Sequence, residues 1–215
     1  ISRIENGDAI IKKTDLGKDT MPSCVSFNAK KILQVGDTSY NKLRRDKLNA
    51  MKNWTYETNV FIEFKRTMGT DKKYSSSNLG KDLSSEELSA EVLKTLKSFV
   101  KDENINAVVI TVPAAFGNNQ KEATREAAKL AGFNHIELLQ EPVAAAMAYG
   151  VDSKKKDGYW LVFDFGGGTF DAALLKVEDG IMTVKDTEGD NYLGGKNLDL
   201  AIVDEIIMPY IEQNY

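Results

Sequence analysis

The sequence contains one cysteine, Cys24, and one histidine, His135. A single thiol excludes an internal disulfide and points to a reducing compartment, with a cytoplasmic location as the expectation. Cys24 lies in the apolar run Cys24-Val25-Ser26-Phe27, where a packed thiol is expected rather than a catalytic one. A metal site built on His135 would need carboxylate or thiol partners at ligand spacing, and none is evident, so a surface or cap role is expected. No apolar run approaches the ~20 residues of a membrane span, and no secretory signal is present. Neither Gly-x-x-x-x-Gly-Lys-Ser/Thr nor a helix-opening Gly-x-Gly-x-x-Gly occurs, which disfavours a P-loop or dinucleotide fold. A net charge of -4 argues against a nucleic-acid partner, because phosphate backbones are held by basic faces. No internal repeat stands out.

What remains is an ordinary globular composition in 215 residues, long enough to bury a core without staples. Residues 1–36 read as short strands with polar turns, including a hairpin at Asn6-Gly7-Asp8. A polar helix is expected over Ser39 to Lys52, and Asn59 to Lys65 reads as a strand or the start of a helix. Lys72 to Asp82 is Ser-rich and reads as an exposed loop. Ser84 and Glu87 form a capping box that opens a helix with Leu88, Val92, Leu96 and Phe99 on one face. Ala107 to Val112 reads as a strand buried on both faces. The helix Asn118 to Ala131, capped by Gly132, the short buried strand Ile136 to Leu139 and the small-residue helix Pro142 to Tyr149, ended by Gly150, complete a strand-helix alternation that implies crossover helices. Trp54 and Trp160 are expected to pack, and Lys154-Lys155-Lys156 reads as a solvated turn in a polar hinge. Beyond it, Tyr159 to Asp164, Asp171 to Val177 and Ile181 to Thr187 read as a three-strand meander followed by a helix after Gly195.

The segment Asp164 to Asp171 (DFGGGTFD) carries the chemistry. Three glycines between two strands allow positive φ and close backbone approach, and successive amides in such a turn suit an anion. Asp164 and Asp171 flank the turn, and two carboxylates beside phosphate would repel it unless a divalent cation, typically Mg²⁺ with its water shell, lies between. Thr169 adds a hydroxyl donor. The bland alternative is a glycine-rich hairpin that binds nothing.

Four segments carry a family resemblance: Val60 to Gly69, Ile110 to Gly132, Glu137 to Asp152 and Val162 to Gly195. With them the chain resembles the nucleotide-binding domain of the DnaK-type 70-kDa heat-shock chaperones, within the actin-like ATPase superfamily. The turn alone would fit other members, whereas Glu141-Pro142 with the following Ala-rich helix resembles the chaperones in particular. The resemblance is weakest between Lys30 and Ser84.

The resemblance implies an α/β, actin-like ATPase (ribonuclease H-like) fold with mixed sheets flanked by helices, here an incomplete two-lobed nucleotide-binding domain. Lobe I would span 1–153, with a small inserted subdomain at about 24–94, and lobe II would begin at 154–215. It implies that Lys65 positions the attacking water and neutralises charge at the γ-phosphate, and that Glu141 lies near that water. Asp164 and Asp171 would organise Mg²⁺ and water, Thr169 would contact the γ-phosphate, and Gly166, Gly167, Gly168, Gly194 and Gly195 would line ATP or ADP. Pro113 would relay nucleotide state, with Lys121 where the family usually has arginine; lysine loses the planar fork. Lys196 stands where glutamate is usual, and residues 70–84 look shorter than in common members.

The implied function is an ATPase domain of a stress-response chaperone, coupling hydrolysis to peptide binding by a domain outside this chain. Unfolded peptides, a J-domain co-chaperone and a nucleotide exchange factor would be its partners, with no nucleic acid and no membrane. A sugar or metabolite kinase and a filament-forming actin-like protein are the alternatives. The termini read as those of a piece of a longer protein, lacking the family's first phosphate loop and the adenosine-binding half of lobe II. Such a piece alone is expected to bind ATP weakly and turn it over negligibly.

Overall fold

The computed structural model describes residues 1–52, 58–149 and 157–214. Trp54, Gly150, Lys154-Lys155-Lys156 and Tyr215 lie outside the described residues, as does the expected hinge up to residue 156. The chain forms two units, one of residues 1–108 and 118–136, the other of residues 109–117 and 137–215.

The first unit opens with the hairpin β1 (Ser2–Glu5) and β2 (Asp8–Ile11), whose turn residues Asn6 and Gly7 both take positive φ, as a two-residue hairpin turn of this hand requires. Its strands are largely exposed, and charge ties it down. Arg3 bonds Asp102 at 2.8–2.9 Å and lies 3.1 Å from Glu103, while Lys12 and Arg3 share Glu5. These partners raise the Arg3 guanidinium and hold the Asp102 and Glu5 carboxyls below their ordinary range. A three-stranded antiparallel sheet follows, with β3 (Cys24–Phe27) central between β4 (Leu33–Val35) and β5 (Val60–Ile62). The polar helix α1 (Asp37–Lys52) packs against it. Cys24 is fully buried, and its thiol is pushed up to about 12, first by burial and then by the charge of Asp46.

The expected loop at Lys72 to Asp82 is instead a hairpin, β6 (Lys73–Ser76) and β7 (Lys81–Ser84). Its polar sequence hides the pattern because a side chain elsewhere holds it. The Asn59 carbonyl accepts from Ser76 Oγ and the Asn78 amide, and the Asn59 amide donates to Ser77 Oγ, all at 2.8–3.0 Å. The Ser84–Glu87 capping box forms and opens α2 (Ser85–Ser98). Leu88 and Val92 of that helix meet Val25, Phe61, Phe64 and Leu83 in the main core of this unit. Helix α3 (Asn118–Leu130) runs against α2 and closes a second cluster of Met68, Ala123 and Ala127. Gly132 follows α3 at positive φ, as a C-cap.

Strands β8 (Ala107–Val112) and β9 (His135–Gln140) pair in a two-stranded sheet. The expected burial of β8 on both faces is not seen: Val109 is 63% exposed and only Val112 is buried. A continuous apolar run reports how apolar both faces are, not whether a layer covers each. His135 is exposed, and no three metal-ligating side chains gather among the described residues.

The second unit is built on the meander β10 (Gly158–Phe165), β11 (Phe170–Glu178) and β12 (Ile181–Asp190). Strand β11 is central and alternates strictly, with Ala173, Leu175 and Val177 buried against Val143 and Ala146 of α4 (Glu141–Ala148). The opposite face of β10 leaves Tyr159, Leu161, Phe163 and Phe165 exposed, and Trp160 is itself 36% exposed rather than fully packed. Helix α5 (Gly195–Ile202), a π-helical stretch (Val203–Ile207) and α6 (Met208–Asn214) end the chain, with no side chain buried.

Candidate functional site

Strand β10 delivers Asp164 to the mouth of the glycine turn, and β11 carries Asp171 away from it. The two acids are directly opposite each other in the strand register. Asp171 is buried and Asp164 half-buried. Like charges facing across a strand pair are destabilising, so the pairing calls for compensating donors or a cation. Asp171 also sits at the end of the buried row Ala173-Leu175-Val177, where its Oδ1 accepts from the Ala115 amide at 3.2 Å. Ala115 belongs to the turn after β8, closed by the Phe116 amide on the Pro113 carbonyl at 3.2 Å, with Pro113 fully buried.

The turn's conformation differs from the sequence expectation. Neither Gly166 nor Gly167 takes positive φ. The Gly166 amide closes the turn onto the Thr169 carbonyl at 2.9 Å, so it is already engaged. What demands small residues is packing. A Cβ on Gly194 would lie 2.5 Å from the Gly167 carbonyl carbon and 2.6 Å from Gly168 Cα. The amides of Gly195 and Lys196 donate to the carbonyls of Gly166 and Gly167 at 3.0 and 3.2 Å. The glycine turn is thus laced by backbone bonds to the start of α5. The Asn197 side chain caps that helix by accepting from the Gly194 amide at 3.1 Å. Because Lys196 contributes its amide here, this contact does not depend on which side chain stands at that position.

Of the expected site residues, Gly166, Gly167, Gly168, Thr169, Gly194 and Gly195 come together with Asp164 and Asp171 within the second unit. Glu141 opens α4 in the same unit, next to Pro142, where an acid is favoured by the helix dipole. Pro113 also belongs there, whereas Lys65 and Lys121 belong to the first unit. Lys65 is exposed on a 3₁₀ turn (Phe64–Thr67) entered through Glu63 at a φ of 61°. That turn is anchored by buried Phe64 and by Thr67 Oγ1, which lies 2.7 Å from the Tyr74 hydroxyl and 2.8 Å from Ser85 Oγ.

Three contributors escape a reading of the sequence: the Ala115 amide, the Asn197 cap and Gly189. Gly189 is the residue of β12 opposite Asp171. Counting back from the Asp179-Gly180 turn would put Glu188 there. A bulge prevents it, because Leu175 pairs with Val184 while Leu174 pairs with Asp186. The only sequence signal was a glycine in an otherwise strand-like run.

The donor set fits a hard divalent cation. It consists of carboxylate oxygens, and Mg²⁺ takes one or two of these while keeping water and phosphate oxygens as its other ligands.

Comparison with known proteins agrees with this architecture. The family described as Hsp70 protein matches residues 1–214. The chain is 40% identical over 212 residues to the chaperone protein DnaK of Mycoplasmopsis agalactiae, covering 96% of this chain and 33% of that protein. It is 39% identical over 210 residues to the DnaK proteins of Ureaplasma parvum serovar 3 and Ureaplasma urealyticum serovar 10, again over 96% of this chain and 32% and 33% of theirs. The chain therefore spans about a third of the length of these relatives. No described helix is long and apolar enough to cross a membrane. With its mixed α/β architecture, the chain is part of an actin-like ATPase fold and belongs to the DnaK-type Hsp70 family.

Proposed function

We propose that this chain is the nucleotide-handling part of a chaperone ATPase, binding ATP or ADP with Mg²⁺ at the turn Gly166–Thr169. One observation carries the reading. Two aspartates are held face to face beside a glycine turn that is itself tied to a helix start. Such a pair is costly without a cation and useful with one.

In this reading Asp164 and Asp171 would hold Mg²⁺ through its water shell, and the cation would neutralise the charge of bound phosphates. Thr169 donates to the terminal phosphate, and Gly166, Gly167, Gly168, Gly194 and Gly195 shape the backbone around the phosphates and ribose. Because the Gly166 amide is occupied within the turn, the anion contacts fall to the rest of the turn, the Thr169 hydroxyl among them. Lys65 places its ammonium where negative charge grows at the γ-phosphoryl oxygens, and Glu141 orients the attacking water. Pro113 and Lys121 pass nucleotide state to a peptide-binding domain. In the half-buried Asp171–Ala115 bond, Pro113 has a neighbour tied to the metal-handling acid.

The lobe division is proposed as residues 1–153 and 154–215, the first containing the inserted subdomain at about 24–94. We place the protein in the cytoplasm, acting in the stress response on unfolded peptides with a J-domain co-chaperone and a nucleotide exchange factor. The decisive experiment is calorimetry and turnover with magnesium-ATP on a polypeptide of the relatives' full length. Lys65→Ala is expected to lower turnover by about 10²–10³-fold, the usual cost of removing an electrostatic stabiliser. Thr169→Ala should weaken nucleotide binding. Hydrolysis unchanged by Lys65→Ala would refute the assignment.

A further inference from the structure

We propose that Gly189 is a positioning residue for Asp171, and that the bulge at Lys185 exists to place it there. The proposal rests on the ATPase reading for its functional meaning, but its geometric part stands by itself. A Cβ built on Gly189 would lie 2.5 Å from the Phe170 carbonyl oxygen, 3.1 Å from Asp171 Oδ1 and 3.2 Å from Asp171 Cα. Gly189 does not take positive φ, so its backbone does not require glycine. The requirement is space, set first by the Phe170 carbonyl oxygen and next by the Asp171 carboxylate. Asp171 Oδ1 is the oxygen that accepts from the Ala115 amide.

The alternation of β11 points Asp171 to the same side as Ala173 and Leu175, which are completely buried. A carboxylate at the end of an apolar row has few places to go. The missing side chain at Gly189 opens one on the strand side, and the Ala115 amide supplies a donor there. Were Lys185 paired in the ladder and not bulged out of it, Glu188 would face Asp171 in place of Gly189. A second carboxylate would then crowd and repel the first. Bulge and glycine together remove a charge and a side chain from the position across from the metal-handling acid. This is support at one remove, of the kind that tunes metal sites.

The test has two arms. In the nucleotide-free 215-residue chain, hydrogen exchange at the Ala115 amide is measured for wild type, Gly189→Ala, Asp171→Ala and the exposed-strand control Glu188→Ala. Protection should fall in Gly189→Ala and in Asp171→Ala and hold in Glu188→Ala; unchanged protection in Gly189→Ala overturns the proposal. Should Gly189→Ala fail to fold, the double variant Gly189→Ala/Asp171→Ala decides. Recovery of folding supports the carboxylate as what the glycine makes room for, and continued failure overturns it. In the second arm, on a polypeptide of the relatives' full length, Gly189→Ala should weaken magnesium-ATP binding at least about tenfold, as loss of metal-site support does. Binding of ATP in EDTA should change far less. Loss of Ala115 protection with no effect on magnesium-ATP leaves the positioning of Asp171 intact and counts against the ATPase reading.

Discussion

Glycines that look alike in the sequence have opposite roles at the turn. Gly167 has no atom within 4 Å of where a Cβ would stand, and its φ is not positive. Gly167→Ala should therefore stabilise the chain by about 0.4–1 kcal/mol by restricting the unfolded state. If the turn holds phosphate, the same change should weaken nucleotide binding, so stability and affinity move in opposite directions. Gly194→Ala, by contrast, would drive a methyl group into the backbone of Gly167 and Gly168 and should cost about 1–3 kcal/mol, as overpacking does. Urea denaturation of both variants checks the pair, and equal effects would contradict the packing described. The acids and glycines of DFGGGTFD were legible because they are neighbours in the chain. The Gly189 and Ala115 contributions were not, because they reach Asp171 only through strand pairing and a turn after another strand. Cys24 is a packed thiol, as its apolar run implies, and its burial gives a pH dependence. Its folded pKa lies above the unfolded one, so its contribution is full below about pH 9 and is lost as pH rises toward 12. Cys24→Ala should flatten that alkaline decline in melting temperature, and the wild-type thiol should resist alkylation at neutral pH until the chain unfolds.

Short elements of this chain are held more by side chains from elsewhere than by their own pattern. The hairpin of β6 and β7 shows it best, since its Ser-rich sequence reads as a loop and Asn59, far away in sequence, supplies the order. Asn59→Ala would leave buried partners unsatisfied and should cost about 1–3 kcal/mol. Hydrogen exchange should show the loss concentrated at Lys73–Ser84. Uniform loss across β3 and β5 would mean that Asn59 supports the sheet rather than the hairpin. Helix α2 sits at the other extreme, because its capping box and apolar spacing are both local, and both were legible. Strand β8 shows the limit of composition, since hydrophobic residues on both faces describe what a strand tolerates rather than what covers it.

At the scale of the whole chain, each unit closes its own apolar cluster, Val25 to Val92 in one and Ala146 with Ala173 to Val177 in the other. The second unit covers only one side of its meander. Tyr159, Leu161, Phe163 and Phe165 line the other side of β10, with the Phe163 and Phe165 rings tilted against Phe170 at centroid distances of 4.9 and 6.1 Å. From α5 onward Leu198, Ile202 and Ile206 are exposed as well. The meander and the apolar helix were both legible as elements, but exposure is a property of the neighbours they meet, which local periodicity does not encode. Contiguous apolar surface of this kind drives association in water. The isolated 215-residue chain should therefore bind a hydrophobic dye and sediment above its 23.8 kDa mass as concentration rises. Leu161→Lys with Phe163→Lys should return it to the monomer mass while leaving its melting temperature nearly unchanged, because both side chains are about 70% exposed and contribute little to the core. A wild-type chain that stays monomeric and dye-negative at high concentration would mean that this face is covered in solution. A double variant that melts much earlier would mean that these side chains are buried there.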